Sequence, residues 1–432
     1  MENAIQAITI AVVLFGLLGM GVWVGATLIA CGLVVVLFFT STTAGPIFAT
    51  IAWGHTASWT LTALPLFIWM GEILYRTSLA KDMFSGLSPW VQNLPGRLVH
   101  VNVVGCGIFA AVSGSSSATT ATIGRISLPE LAKRGYDEKI AIGTLAGAGT
   151  LGLLIPPSII MIVYCVAAQV SINRLFIAGV IPGLTLMVLF SGYIVFWSLR
   201  NKGKVPTETE ATSWRERFGR LKLLLPVVGL IVAVIGSIYA GVATATEAAA
   251  LGVVGALVIA GFSGSLSKAN FQASLTGAAR TSCMIAFILM GAGFLTSAMT
   301  FSGLPADLSA WIVGMDLSIY AFIAVLTVFF IIMGCFLDGI SIVVLTTSVI
   351  LPAVKAVGID PLWFGIYLVF VVEMAQITPP LGFNLFVIQG LTGKNIIEIS
   401  KMVIPFFILM LVATAIITVF PDLVTWLVYS NV

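Results

Sequence analysis

Charged residues are scarce in this chain of 432 residues: Asp, Glu, Lys and Arg together make up only 9%. Soluble domains carry about 25% charged residues, so this scarcity excludes an ordinary soluble domain. Apolar residues make up 59% of the sequence, in runs that recur from end to end. Many of these runs are long enough to cross about 30 Å of hydrocarbon. The composition therefore predicts an all-α polytopic membrane protein.

Metal-binding side chains are also scarce. The two histidines, His55 and His100, are too few for a zinc or haem site. The five cysteines occur singly within apolar stretches and form no CxxC pair, so we expect them to pack as small buried hydrophobes. A net charge of +3 does not indicate nucleic-acid binding, because the basic residues fall in loops on one side. The first apolar run has no basic segment before it, which favours a spanning helix over a cleaved signal.

The strongest pattern in the sequence is an internal repeat at a constant spacing of 223 residues, as from Pro129 to Pro352. The shared positions in the first copy are Pro129, Gly135, Asp137, Pro156, Pro157 and Pro182. Their counterparts are Pro352, Gly358, Asp360, Pro379, Pro380 and Pro405. Duplication around paired helix-breaking sites is typical of secondary transporters.

The repeat divides most of the chain into two units with matching parts, each a predicted re-entrant hairpin followed by a broken helix. The boundaries are 59–200 for unit one (hairpin 98–130, broken helix 138–170) and 283–428 for unit two (hairpin 318–355, broken helix 360–391). Scaffold helices are predicted in 1–58 and 222–262. The polar stretch 201–221 is interpreted either as a cytoplasmic linker or, around Trp214–Leu221, as an amphipathic surface helix.

The apolar runs predict ten spans outside the hairpins, and 5–40 is compatible with one bent span or two. The predicted spans are 5–20, 22–40, 59–76, 138–170, 174–199, 222–241, 244–262, 283–301, 360–391 and 402–428. The segments 41–58 and 302–317 are predicted to be outer connections.

The placement of basic residues predicts the orientation. With the N-terminus outside, all of the 20 Lys and Arg residues except Arg174 and Lys355 fall on the cytoplasmic side. Counting the crossings then places unit two upside down relative to unit one. The sequence therefore predicts an inverted repeat, the geometry that lets one site open alternately to either side.

Each unit contains two interruptions of regular helix at membrane depth, a hairpin tip and a Pro-Pro pair. Proline lacks an N–H and disfavours helical conformation in the residue before it, so a Pro-Pro pair frees backbone carbonyls. Free carbonyls persist in hydrocarbon only where water, an ion or protein satisfies them. Carbonyls and hydroxyls are hard oxygen ligands, which predicts one Na⁺ site in each unit. The simpler alternative is that the prolines only kink packed helices.

Each predicted sodium site combines one tip with one break. Site one consists of Ser113, Ser115, Ser116, Gly149, Gly152, Ile155 and Pro156. Site two consists of Gly334, Asp338, Gly339, Thr378, Pro379 and Gly382. Sodium is the only metal expected, as a coupling ion, and no other cofactor is expected.

The helices that follow the two tips are expected to point their positive N-terminal ends at a shared volume, which favours an anionic substrate. The predicted substrate lining is Ser116, Ser117, Thr119, Thr120, Arg125, Ser341 and Asn384. Ser and Thr in membrane helices often bond their own backbone, which is the alternative for each hydroxyl. Asp338 and Glu373 are candidates for ion or proton coupling, whereas Glu247 is expected to make a structural contact.

These motifs resemble those of the large membrane subunit of tripartite ATP-independent periplasmic (TRAP) transporters, and the resemblance covers essentially the whole chain. It is carried by SGSSSATTATIG at 113–124, IPPS at 155–158, LFIAGVIPG at 175–183, FLDG at 336–339 and TPPLGFNLF at 378–386. Two positions depart from the family pattern. Thr119 or Thr120 stands where some members have Asp, which leaves the substrate open, and Cys165 stands where Gly is usual.

The resemblance implies a bacterial or archaeal inner-membrane protein of elevator type with a periplasmic N-terminus. It also implies Na⁺-driven uptake of a carboxylate, a small membrane (Q) subunit as partner, and a periplasmic substrate-binding (P) protein that delivers the substrate. The main alternative is a stand-alone ion-coupled organic anion symporter or exchanger of the same superfamily. An intramembrane hydrolase is disfavoured because Ser115 has no His or Lys candidate base at membrane depth. A passive channel is disfavoured because two closed hairpins suit occlusion.

Overall fold

The computed structural model describes residues 2–206, 213–380 and 382–430, and every regular element in these ranges is helical. Their 22 α-helices are α1 (Glu2–Gly19), α2 (Val24–Phe39), α3 (Ala44–Thr56), α4 (Trp59–Tyr75), α5 (Leu79–Val91), α6 (His100–Ser113), α7 (Ser116–Lys133), α8 (Glu138–Gly149), α9 (Leu151–Leu154), α10 (Ile159–Ala168), α11 (Ile172–Arg200), α12 (Trp214–Leu221), α13 (Leu225–Tyr239), α14 (Ala245–Phe262), α15 (Lys268–Ser302), α16 (Leu304–Gly314), α17 (Ile319–Met333), α18 (Gly339–Ala356), α19 (Pro361–Gln376), α20 (Phe383–Thr392), α21 (Ile396–Val419) and α22 (Asp422–Tyr429). The prediction of an all-α protein is confirmed.

The lengths of these helices suit a membrane. Among the described helices, α11, α14, α15 and α21 are each long and apolar enough to cross a bilayer. The number rises from four to eight if each of four helix pairs bent by more than 40° counts as one span. The segment 5–40, which the sequence left open, forms two helices, α1 and α2.

Several predicted boundaries are wrong. The expected connections 41–58 and 302–317 contain helices α3 and α16, because these segments are apolar enough to pack. The span predicted at 283–301 belongs to α15, which begins at Lys268 and runs for 35 residues. The span predicted at 402–428 is divided, since α21 ends at Val419 and α22 follows Pro421.

The polar stretch at 201–221 ends in a helix, α12, although its residues 207–212 lie outside the described part of the chain. Ser213 and Glu216 form a capping box at the start of α12, which fixes the helix boundary. Glu247 makes the same kind of reciprocal cap with Thr244 at the start of α14, in agreement with its expected structural role. Cys283 is exposed, so the expectation of five buried cysteines is wrong for that residue.

The two copies of the sequence repeat also share helix boundaries. Helix α18 begins and ends 223 residues after α7, and α19 begins 223 residues after α8. Asp137 and Asp360, at the same spacing, each accept hydrogen bonds from two backbone amides and so cap α8 and α19. After the Pro-Pro pairs, which are both cis, α10 and α20 begin at Ile159 and Phe383.

The first halves of the two broken helices form the centre of the molecule. Helix α19 is buried from Leu362 to Ala375, and α8 is buried from Ile140 to Gly149. Helices α6 and α7 pack against each other as a hairpin and against α8. Helix α18 packs mainly against α10, α16 and α19. This arrangement brings the polar hairpin tips next to the breaks in the central helices.

Contacts between the units occur near the ends of the broken helices. Lys394, between α20 and α21, forms an ion pair with Glu138 at the start of α8, with 3.1 Å between Nζ and Oε2. Glu138 and the neighbouring Glu398 raise the pKa of Lys394, because both accept hydrogen bonds from its ammonium group. The Tyr164 hydroxyl of α10 donates to the Pro361 carbonyl at the start of α19, at 2.6 Å.

Candidate functional site

The first hairpin turns at Gly114, which adopts a left-handed conformation with φ of 59°. Glycine suits this conformation because a side chain there is strained. Ser115 then begins α7 as its N-cap, and its hydroxyl accepts from the Ala118 amide at 3.4 Å. The turn therefore presents a run of hydroxyls and backbone groups at the end of the hairpin.

The hydroxyls of the first tip form two pairs. Ser113 Oγ lies 2.7 Å from Thr119 Oγ1, and both residues are buried. Ser115 Oγ lies 3.3 Å from Ser117 Oγ, and both residues are half-buried. These four predicted site residues therefore lie together at the tip.

The first tip packs directly on the broken helix of its own unit. A Cβ on Gly152 would lie 2.6 Å from the Ser115 carbonyl oxygen, so only glycine permits this approach. The Gly114 carbonyl accepts from the Ile159 amide at 3.3 Å, just beyond the Pro-Pro pair. Ser115 and Gly152 of predicted site one are thus in contact.

The break in unit one runs from Ile155 to Ser158, between α9 and α10. The segment Glu138–Leu154 before the break and α10 after it are bent relative to each other by 41°. Pro156 and Pro157 lack N–H groups, so the carbonyls of Gly152 and Leu153 lose the donors that a continuous helix supplies four residues later. Both prolines are buried. The segment of chain facing the first tip therefore offers two carbonyls free of helical bonding.

The second tip is organised by an acid. Asp338 caps α18, and its Oδ2 accepts from the amides of Ile340 at 3.1 Å and Ser341 at 3.3 Å. The Ser341 hydroxyl donates to the other carboxylate oxygen. Both oxygens of Asp338 are therefore engaged in holding the start of α18.

The second break brings carbonyls together at Gly382. A Cβ on Gly382 would lie 2.8 Å from the Gln376 carbonyl oxygen and 2.9 Å from that of Thr378. The Thr378 hydroxyl donates to the Met374 carbonyl at 2.6 Å. This bond to the backbone is the alternative expected for a hydroxyl in a membrane helix. Its oxygen retains lone pairs for a further partner.

The second tip touches the second break less closely than the first tip touches the first. Cys335 Sγ lies 3.5 Å from the Pro379 carbonyl oxygen. Gly334 packs against Ala375, and Gly339 packs against Val372, both on α19. The members of predicted site two therefore lie around the end of α19.

A third polar cluster joins the two units. A Cβ on Gly149 would clash with the Thr120 hydroxyl and lie 3.5 Å from Asn384 Nδ2. Asn384 is 0% exposed, and neither its amide nitrogen nor its amide oxygen has a hydrogen-bond partner among the described residues. The Thr120 hydroxyl is buried and unpartnered in the same way. Unsatisfied buried polar groups are costly, so this cluster is suited to a polar ligand.

Arg125 lies five residues after Thr120 on α7, about 7.5 Å further along the helix at 1.5 Å per residue. Its guanidinium lies 5.6 Å from the centre of the Tyr75 ring, at the end of α4.

Glu373 is a candidate coupling residue from the sequence, although it belongs to neither predicted sodium site and not to the predicted substrate lining. It is 1% exposed, and its Oε1 accepts a hydrogen bond from the Ser116 hydroxyl of the first tip. Its Oε2 has no hydrogen-bond partner among the described residues. The sequence alone marks Glu373 as unusual, because it is the one charged residue in the apolar helix α19. Its partner in unit one was hidden, because the contact spans 257 residues.

The sequence matches a family model, and this match decides the identity of the chain. The family is described as "Tripartite ATP-independent periplasmic transporter, DctM component", and the match covers residues 11–423. The chain belongs to this family. Since the family consists of transporter permease subunits, the TRAP resemblance and the non-enzymatic assignment are both confirmed.

Two similar proteins extend the comparison. The C4-dicarboxylate TRAP transporter large permease protein DctM of Rhodobacter capsulatus is 34% identical over 432 residues, covering 95% of this chain and 97% of that protein. The isethionate TRAP transporter permease protein DctMQ of Oleidesulfovibrio alaskensis is 33% identical over 420 residues, covering 95% of this chain and 65% of that protein. This TRAP permease chain is therefore a multi-pass membrane protein of the large-subunit type.

A solved structure shares the fold. The structure of the Alcanivorax borkumensis YdaH transporter aligns with a TM-score of 0.60 and 13% identity, covering 89% of this chain and 88% of that chain. At this identity the likeness shows the fold alone.

Proposed function

We propose that this TRAP large permease subunit imports a small organic acid across the inner membrane, coupled to the inward flow of Na⁺. The observation that carries the proposal is the pairing of a polar hairpin tip with a Pro-Pro break in each unit. In unit one the tip and the break are in direct contact through Ser115 and Gly152. Such oxygen-rich, buried breaks are suited to a small hard cation.

The proposed sodium sites keep the predicted ligand sets. In site one, the backbone of Ser115 and Ser116 packs on Gly152, whose carbonyl is freed by Pro156, and Ser113 completes the tip. In site two, the Thr378 hydroxyl oxygen and the carbonyls converging on Gly382 are the strongest ligand candidates. Asp338 contributes negative charge next to them while it caps α18.

The proposed substrate is an organic anion bound between the two tips. Helices α7 and α18 begin at the tips, so the positive ends of their dipoles are directed at a substrate bound there, which favours an anion. Thr120 and Asn384 supply unpartnered hydrogen-bonding groups nearby. The names of the two similar proteins described above give C4-dicarboxylates and isethionate, a sulfonate, as their substrates, and both are small organic anions.

The proposed mechanism is of elevator type, with an inverted repeat whose hairpins and broken helices move against scaffold helices. Contacts between the units support the inversion. The start of α8 pairs with the end of the second broken helix through Glu138 and Lys394, whereas the start of α19 contacts α10 of the first broken helix through Tyr164. Two parallel units would bring the two starts together instead.

The proposed assembly includes a small membrane (Q) subunit and a periplasmic substrate-binding (P) protein, and the N-terminus lies on the periplasmic side. The family name describes a tripartite system, and one similar protein carries the combined name DctMQ. The segments 41–58 and 302–317, proposed to face outward, contain no Lys or Arg. They therefore lack the charge needed to capture a dilute anion, a task that a soluble binding protein performs.

The test is uptake into liposomes that contain this chain and its small membrane partner. We expect accumulation of radiolabelled C4-dicarboxylate or isethionate only with an inward Na⁺ gradient and with the cognate periplasmic protein outside. Replacing Na⁺ by K⁺ is expected to abolish uptake.

Two results would contradict parts of the proposal separately. Uptake that persists in K⁺ would refute sodium coupling. Robust uptake without the soluble protein would refute the three-component function and support a stand-alone symporter.

A further inference from the structure

We propose that Glu373 supplies the negatively charged ligand of the first sodium site, so that unit two completes a site whose other ligands come from unit one. This inference rests on the sodium coupling proposed above. It adds a ligand that lies outside the predicted tip and break of unit one.

Glu373 lies against residues from both parts of the first sodium site. Its carboxylate accepts from the Ser116 hydroxyl, and the Leu153 backbone amide faces the same carboxylate. Ser116 belongs to the first tip, and Leu153 follows Gly152, which touches that tip. The acid therefore lies at the seam between the two halves of site one.

The negative charge of an ionised Glu373 needs a partner. The ion pairs found within 2–206, 213–380 and 382–430 all involve other acids, so no Lys, Arg or His there neutralises Glu373. Its side chain is 1% exposed, and its Oε2 has no hydrogen-bond partner in the same ranges. A carboxylate at membrane depth requires a compensating charge, which a bound cation provides.

The backbone groups and hydroxyls near Glu373 favour an ionised carboxylate and a bound cation. The Leu153 amide can only donate a hydrogen bond, which favours an oxygen that bears negative charge. The carbonyls of Gly152 and Leu153 lack helical donors because of Pro156 and Pro157. One carboxylate oxygen, freed carbonyls and the tip hydroxyls form a hard oxygen set of the kind that binds Na⁺.

The repeat shows that this arrangement differs between the units. The position that matches Glu373 in unit one is Thr150, whose hydroxyl donates to the Gly147 carbonyl at 2.6 Å. The position that matches Asp338 is Ser115, and both residues cap the helix after a tip. Each proposed site therefore has one acid, and both acids belong to unit two. Sodium in site one consequently ties the first hairpin to α19.

The test is equilibrium binding of ²²Na⁺ to the purified chain with its small membrane partner in nanodiscs, combined with Na⁺-dependent thermal stabilisation. Glu373→Gln keeps the shape and removes the charge, and we expect it to weaken one of two Na⁺ sites at least tenfold. Glu247→Gln is the matched control. The Glu247 carboxylate is exposed and caps α14, and Glu247 belongs to neither proposed sodium site. This variant is expected to bind Na⁺ like the wild type.

A second variant keeps the proposal testable if Glu373→Gln does not fold. Glu373→Asp retains the charge on a shorter side chain, so we expect weaker but measurable binding at the same site. Wild-type Na⁺ affinity at both sites in a folded Glu373→Gln variant would overturn the proposal, because the charge would then be dispensable. Wild-type affinity in Glu373→Asp would also overturn it, because a carboxylate withdrawn by one methylene could not keep direct contact with the ion. A wild-type protein that binds no Na⁺ would instead refute sodium coupling itself.

Discussion

The two units share their helix boundaries but differ in how tightly the tip closes on the break. In unit one, Pro156 and Pro157 are buried, and the tip backbone touches Gly152. In unit two, Pro379 and Pro380 are exposed, and the tip residue Phe336 is 60% exposed. The same local sequence pattern therefore supports a closed and a more open arrangement in one molecule.

This difference follows from the residues at the tips. Unit one has small side chains at 113–117, a run of Ser and Gly that allows backbone-to-backbone contact. Unit two places Phe336 and Leu337 before Asp338, so its tip lacks the run of small side chains found in unit one. A transporter that opens its site alternately needs parts that pack in more than one way, and unit two is the looser of the two.

The largest effect is expected where the backbone of the first tip packs on Gly152. Gly152→Ala places a Cβ 2.6 Å from the Ser115 carbonyl oxygen, and rotation of a side chain cannot relieve a clash with backbone. Overpacking of this kind costs about 1–3 kcal/mol. We therefore expect Na⁺-driven uptake in liposomes to fall about 10- to 100-fold.

The matched control for this substitution is Gly192→Ala on α11, where a Cβ meets nothing within 4 Å. It is expected to transport like the wild type. Equal activity of the two variants would show that the contact between the first tip and its break does not matter for transport.

A smaller effect is expected in the looser unit. Thr378→Val removes a hydroxyl oxygen beside the second Pro-Pro pair while keeping the shape of the side chain. Loss of one of several ligands is expected to raise the Na⁺ concentration needed for half-maximal uptake by about tenfold, equivalent to about 1.4 kcal/mol.

Thr185→Val separates this role from loss of a backbone hydrogen bond. Thr185 on α11 is half-buried like Thr378 and makes the same bond to the carbonyl four residues earlier, at 2.8 Å. Its variant is expected to keep wild-type Na⁺ dependence. Unchanged Na⁺ dependence in Thr378→Val as well would remove Thr378 from the site.

Local signals made the repeated part of the fold predictable. Asp137, Asp360 and the two Pro-Pro pairs act on the few residues next to them, so helix starts and breaks follow from the sequence. The helices α3 and α16 do not follow from the pattern of spans, because at 13 and 11 residues they are too short to cross a membrane. Helix α15 was predicted too short, because its first residues are polar and apolarity was the main guide to spans.

The candidate site was predictable in its parts but not in its assembly. The sequence identified the tips, the breaks and the unusual acid Glu373, since each is a polar feature in an apolar setting. The contacts between Glu373 and Ser116, and between Thr120, Gly149 and Asn384, join residues far apart in the chain. No local pattern encodes such contacts.

The central claim is that one sodium site lies at the tip and break of each unit. The most direct measurement is the number of ²²Na⁺ ions bound at saturation by the purified chain with its small membrane partner. The account predicts two ions per chain for the wild type, with one high-affinity ion lost in Gly152→Ala and the other weakened in Thr378→Val. Binding of no Na⁺, or two ions with unchanged affinities in both variants, would contradict it.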